Sequence, residues 1–180
     1  MVGPEHPRVD GAAQLEAWAR QAHHRAQKTY RRVRRPELFG AHLVLIDRDG
    51  WVVCVRHTYG DPRWTLPGGQ RKLGLREREP ADLTALREAE EELRQTPLRD
   101  RVTHAGSTHF HRIDGAMHYT SFFAARRDPD QPLKPRRGEM LTAREFHLLA
   151  LPLKERAIQC CQEGARKLDT ATANPPTAIA

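Results

Sequence analysis

Cysteine is scarce in these 180 residues: Cys54, Cys160 and Cys161 are the only three, and no two of them are spaced Cys-x-x-Cys. That argues against both a disulfide framework and a structural zinc site. Cys54 alternates with its neighbours in a strand-like run, and the vicinal pair lies near the C-terminus, so all three read as packing and not as reactive thiols. Aromatic residues make up 6% of the chain, and no apolar run approaches the roughly 20 residues of a membrane span. The N-terminus lacks the apolar stretch of a secretory signal, so the expected compartment is the cytoplasm, with no membrane partner. Hydrophobic residues, at 38%, suffice for one α/β (α+β) domain with a real core, and the length leaves no room for two. No internal repeat stands out.

Charge is unbalanced in one direction, with a formal net charge of +7. An excess of cations suits a polyanionic ligand, although an Arg-rich composition gives it without any partner. Residues 11–30 read as an amphipathic helix, followed by Arg31, Arg32, Arg34 and Arg35 before Pro36 breaks it. This basic run is a solvated helix end or a contact for nucleotide phosphates or RNA. The first reading is preferred, because no aromatics are interleaved for stacking bases.

Beyond it, residues 40–47 and 51–57 are β-rich and joined through Asp49-Gly50, a hairpin signal that pairs them antiparallel. Residues 101–111 and 117–126 predict two more strands around a turn at 113–116, which places His109 and His111 on one strand face. An ordinary polar face is preferred there over a metal pair, since no third ligand stands at a telling spacing. Residues 127–138, rich in Pro and charge, read as a loop, and 153–168 as a closing helix.

The chemistry concentrates in residues 64–93. From Ala81 the run is almost entirely good helix formers, and Pro80 suits a first helical turn. At about 100° per residue, Leu83, Leu86, Ala89 and Leu93 gather on one side, with Glu88, Glu91 and Glu92 within an arc of roughly 100° on the other. Like charges at these spacings repel, and acids in the last turn oppose the helix dipole. A bound cation removes both penalties, and converging carboxylates that leave room for phosphate oxygens suit Mg²⁺ or Mn²⁺ better than Zn²⁺. Leu66-Pro67-Gly68-Gly69, just upstream, marks a strand entering a turn whose backbone can approach a ligand closely.

These residues resemble the signature of the Nudix hydrolase superfamily, which runs Gly, five residues, Glu, seven residues, then Arg-Glu-apolar-x-Glu-Glu-x-Gly-apolar. Arg87, Glu88, Ala89, Glu91 and Glu92 fill its second half in register, Glu79 stands at the required distance before Arg87, and Trp64-x-Leu66-Pro67-Gly68-Gly69 is a typical lead-in. Two features depart from the pattern. Nine residues separate Gly69 from Glu79, which leaves Glu77 as a rival for the role of Glu79; and Arg94 replaces the glycine after the paired glutamates, so the helix is expected to run on to Pro97.

The resemblance implies an α/β/α sandwich with a mixed β-sheet over residues 39–168, preceded by an N-terminal helical extension (1–38) and followed by a disordered tail (169–180). It also implies Mg²⁺- or Mn²⁺-dependent cleavage of a diphosphate linkage in a nucleoside diphosphate joined to another moiety. The Gly69 carbonyl, Glu88, Glu91 and Glu92 are then the metal ligands, and the general base is open among Glu91, Glu92 and Glu139. Arg87 and Glu79 orient the carboxylates, and Arg56, His57 and Tyr59 flank a nucleotide-type substrate. A non-catalytic nucleotide sensor and an RNA 5′-end pyrophosphohydrolase are the alternatives. A homodimer through the N-terminal helix is the expected assembly, if there is one.

Overall fold

The computed structural model describes residues 36–58, 63–72, 78–113, 116–136 and 140–173, with the side chains of 100, 109–113, 141 and 173 excepted, together with several helical positions between Trp18 and Arg34. The described positions among residues 18–34 are helical. Trp18, Tyr30 and Val33 are exposed.

The chain then builds a six-stranded mixed sheet. Strands β1 (Glu37–Ile46) and β2 (Trp51–His57) form the expected antiparallel hairpin, with Ile46 opposite Val52. Asp47 closes its turn, its Oδ1 accepting from the Asp49 and Trp51 N–H groups at 2.9 and 2.8 Å. The short β3 (Gly68–Gln70) pairs with the N-terminal half of β1, on the edge whose other half faces β2. Helix α1 (Ala81–Leu93) follows, then β4 (Thr103–Ile113) and β5 (Ala116–Arg126), antiparallel to each other. β5 runs parallel to the whole of β1, while β6 (Met140–His147) pairs antiparallel with β2 at the far edge, giving the order β4-β5-β1-β2-β6.

Because strand residues alternate, β1 feeds two cores. Ala41, Leu43 and Leu45 point to α1, where they meet Ala85, Ala89 and Leu93. Val44 and Ile46 point to the opposite face, covered by α2 (Glu155–Ala173) through Cys160, Cys161 and Leu168. Each Leu or Val so buried contributes about 1.5–3 kcal/mol. All three cysteines are free and buried, and burial raises the thiols, Cys54 to about 12.

Three boundaries differ from the expectation. Pro80 stands just before the first turn as N-cap, its carbonyl accepting the Thr84 N–H at 2.9 Å. The helix stops at Leu93 and does not run on to Pro97, since Arg94 adopts the left-handed conformation usual for glycine (φ 58°, ψ 36°). The Arg94 and Gln95 N–H groups then turn back to the Glu90 and Ala89 carbonyls at 3.0 and 3.3 Å, and Lys134 and Arg136 N–H groups satisfy those of Leu93 and Glu92. Finally, α2 continues five residues past 168 to Ala173, into the stretch expected to be a disordered tail. Asp169 pairs with Arg126 of β5, and the Thr170 hydroxyl bonds back to the Arg166 carbonyl at 2.8 Å. Residues 174–180 lie outside the described residues.

The left-handed Arg94 has a measurable cost. A non-glycine residue pays about 1–2 kcal/mol there, and glycine's greater freedom in the unfolded chain returns only part of it. Arg94→Gly is therefore expected to raise stability by about 0.5–1 kcal/mol in urea denaturation. No gain would mean that the Arg94 side chain offsets its own backbone strain.

Candidate active site

The end of α1 and β3, in which the glycines expected to form a turn lie, bring the expected residues together. Gly68 adopts φ +155°, and a Cβ there would stand 2.4 Å from the Ala41 carbonyl oxygen. At Gly69 a Cβ would stand 2.4 Å from Glu88 Oε1, so the Glu88 carboxylate occupies the space a side chain would need. The Gly69 carbonyl oxygen faces Gly40 of β1, 3.0 Å from where a Cβ on that residue would stand.

Arg87 is the hub. Its Nε and Nη2 donate to the two oxygens of Glu79 at 2.9 and 3.0 Å, its Nη1 donates to Glu88 Oε1 at 2.8 Å, and its Nη2 reaches the Gln70 carbonyl at 3.3 Å. The same Nη1 lies 3.3 Å from Glu91, whose other oxygen is 3.5 Å from Lys72 Nζ. The planar fork suits this division of labour, because it can chelate one carboxylate while touching two more. The longer loop has therefore not displaced Glu79 from Arg87. Its rival Glu77 lies outside the described residues.

Glu92 departs from the simple helix picture. It is 3% exposed, so the acid is not on the solvent face, and the buried stripe is Thr84, Ala85, Ala89 and Leu93, with Leu83 and Leu86 only half-buried. One Glu92 oxygen accepts the Gly68 N–H at 3.1 Å, and the other is 3.9 Å from His57 Nε2. A buried carboxylate needs such partners, and they come from β2 and β3. His57 thus faces the carboxylates. Arg56, the next residue back, faces the α2 side, its guanidinium 5.8 Å from the Trp64 ring centroid. Tyr59 and Glu139 lie outside the described residues, as do the side chains of His109 and His111. The residues flanking Glu139 are tied together, Met140 N–H to the Arg136 carbonyl at 3.0 Å, and Arg136 N–H to the Glu92 carbonyl at 2.9 Å.

Two supporting residues were not singled out in the sequence. The Thr84 hydroxyl donates to Glu79 Oε2 at 2.9 Å, from a buried position in α1. His42 stacks on Phe122 and sits 3.1 Å from the Leu66 carbonyl, bracing the glycine pair. Burial lowers its pKa, keeping the ring neutral. Each had a signal: a hydroxyl on a stripe otherwise made of Ala and Leu, and an imidazole inside an apolar strand.

Hydrogen bonding from Arg87 pulls Glu79 down to about 2, and Glu79 in turn raises Arg87. A carboxyl depressed in the folded state adds stability above its ordinary value near 4.5, and that stability is lost as pH falls towards 2. The melting temperature is expected to fall as pH drops across that window, and Glu79→Gln to flatten the dependence. An unchanged slope in the variant would place the acid sensitivity elsewhere.

Among the described residues, no three side chains of His, Cys, Asp and Glu already converge as a cation site. Glu88 is turned into Arg87, and Glu92 into the Gly68 N–H. The donor set nevertheless fits a hard divalent ion in kind: carboxylate oxygens around a glycine whose missing side chain makes room for them.

A mixed sheet between helices, with a carboxylate-bearing helix locked to a glycine pair, defines the Nudix class. A sequence profile of the NUDIX domain matches residues 37–160, and the chain belongs to the Nudix hydrolase superfamily. Among solved structures it is similar to a MutT NUDIX hydrolase from Burkholderia pseudomallei, at 22% identity over 71% of this chain and 97% of that one, with a TM-score of 0.58. It is similar as well to the NUDIX domain of Shewanella oneidensis NrtR complexed with ADP ribose (19% identity, 73% and 88% covered, TM-score 0.58). A C. elegans Ap4A hydrolase aligns at 20% identity over 76% and 98%, with a TM-score of 0.53. These likenesses carry the fold. A search of curated proteins finds no match, and no helix among the described residues is long and apolar enough to cross a membrane.

Proposed function

We propose that this chain hydrolyses, with Mg²⁺ or Mn²⁺, a diphosphate linkage in a nucleoside diphosphate joined to another moiety. The observation that carries the reading is the Arg87 hub, which holds Glu88 and Glu91 beside the glycine pair that receives Glu92. Glu88, Glu91 and Glu92 would hold the cation, with the Gly69 carbonyl as a further donor. Bound there, a divalent ion neutralises phosphate charge and lowers the pKa of a water.

The chain's own residues do the rest. Arg87 keeps two carboxylates aimed while Glu79 spends its charge on Arg87 and not on the cation. Glu91, 39% exposed, is the carboxylate best placed to take a proton from water, with Glu92 and Glu139 as the other candidates. Of the three residues expected to flank the substrate, His57 at the end of β2 and Tyr59 in the segment after it are proposed to meet it beyond its diphosphate, whereas Arg56 faces the α2 side. One similar structure holds ADP ribose and another is an Ap4A hydrolase, which puts both compounds first for testing.

The test measures release of phosphorylated products from ADP-ribose, Ap4A, sugar nucleotides, nucleoside triphosphates and 5′-triphosphorylated RNA, with Mg²⁺ or Mn²⁺. Cleavage of one small nucleotide supports the reading and names the substrate. Cleavage of RNA alone would move the function to RNA ends. If nucleotide binds but nothing is cleaved, the chain is a sensor and the catalytic assignment falls.

A further inference from the structure

Nine residues separate Gly69 from Glu79, and yet Glu79 arrives within hydrogen-bond distance of Arg87. A longer loop closes at little extra entropic cost, but it does not by itself aim the residue at its end. The return of the chain is fixed in two ways. Its backbone is stapled, with Glu79 N–H to the Lys72 carbonyl at 3.0 Å and Arg71 Nε to the Glu79 carbonyl at 2.6 Å. Immediately before Glu79, the guanidinium carbon of Arg78 lies over the Phe39 ring, 3.7 Å from its centroid. That is well inside the range in which a cation is held by a ring face.

Phe39 is a firm seat. Its ring stacks on Tyr119 at 4.8 Å and 10°, and the two residues face each other in the parallel β1–β5 pairing. The Tyr119 hydroxyl donates to Glu37 at 3.2 Å, and the Phe39 carbonyl accepts the Arg71 N–H at 2.8 Å. A continuous path therefore runs from the sheet to the carboxylates, through Tyr119, Phe39, Arg78, Glu79 and Arg87. Arg78 is exposed and belongs to none of the matched signature positions, so an unpinned, solvated arginine would leave this path broken.

We infer that Arg78 is a positioning residue for the carboxylate site: its seat on Phe39 sets the register in which the lengthened loop delivers Glu79 to Arg87. This rests on the proposed reading of Glu88, Glu91 and Glu92 as cation ligands only where metal affinity is concerned. The Glu79–Arg87 lock can be read without any metal.

The experiment compares wild type with Arg78→Gln, Arg78→Lys, Phe39→Leu and the Arg78→Gln/Phe39→Leu double variant. Hydrogen exchange of the Arg87 Nε–H, followed by NMR, reports the lock, and Mn²⁺ titration by electron paramagnetic resonance reports the site. An exposed cation–ring contact corresponds to a factor of about two to five. Arg78→Gln is expected to speed the Arg87 exchange and weaken Mn²⁺ binding by that factor, with an unchanged melting temperature, and Arg78→Lys to restore part of it. The double variant should lose no more than either single one. Arg87 exchange unchanged in Arg78→Gln overturns the inference, and so do effects of Arg78 and Phe39 that simply multiply. If Phe39→Leu unfolds the protein, the two Arg78 variants decide alone. If wild type binds no Mn²⁺, the metal reading falls while the exchange rates still decide the role of Arg78.

Discussion

Glu92→Gln is expected to lower metal-dependent hydrolysis on the order of 10³-fold and leave the fold intact. The amide is nearly isosteric with the carboxylate, and its oxygen can still accept the Gly68 N–H that Glu92 accepts at 3.1 Å. What disappears is a negative charge that is 3% exposed, next to the cluster formed with Glu88 and Glu91. A ligand charge aimed at a cation from a site largely shielded from water is worth several kcal/mol in the transition state, and each 1.36 kcal/mol is about tenfold in rate. The checks are kcat with Mg²⁺, the Mn²⁺ dissociation constant, and circular dichroism of the variant. Activity within about tenfold of wild type, with normal metal binding, would remove Glu92 from the ligand set.

The second large effect is expected on stability. Arg87→Ala strips the counter-charge from Glu79, Glu88 and Glu91 together, and the first two of these are mostly buried, at 19% and 15% exposed. Removing one member of a buried pair costs about 3–5 kcal/mol, and the partial exposure here brings the expectation to about 2–3 kcal/mol in urea denaturation. The variant should regain part of that loss with Mg²⁺, since a cation that binds only the folded state adds stability as its concentration rises. Adding Glu79→Gln to Arg87→Ala should cost less than it does alone, because the carboxylate left without a partner is then neutral. A loss under about 1 kcal/mol would describe Arg87 as an ordinary surface ion pair and the hub as incidental.

Much of this site was legible from residue type and spacing. The helix over residues 81–93 and the pairing of Arg87 with Glu79 follow from local chemistry, whereas Gly68 and Gly69, read locally as a turn, lie in β3. What spacing could not show depends on groups far along the chain. Helical periodicity puts Glu92 among the outward acids; it is buried because Gly68, 24 positions earlier, offers it an N–H. The stop at Leu93 has no glycine to announce it, and it is completed by N–H groups from Lys134 and Arg136. Local composition reads residue 169 as the start of a loose tail, and only Arg126, 43 positions away, holds Asp169 in place. Arg78 gave no signal at all, since nothing local distinguishes an arginine resting on a ring from one in water.

The parallel pairing of β1 with β5 has a consequence for the order in which the molecule assembles. Its ends are far apart in sequence, as the Tyr119–Glu37 contact across 82 positions shows. Pairings of such range are slow to form, whereas a helix like α1 can wind in about a microsecond. Yet α1 has its last carbonyls satisfied only when the segment after β5 reaches them. During synthesis the glutamates therefore emerge well before the backbone groups of Lys134 and Arg136 that complete the end of their helix.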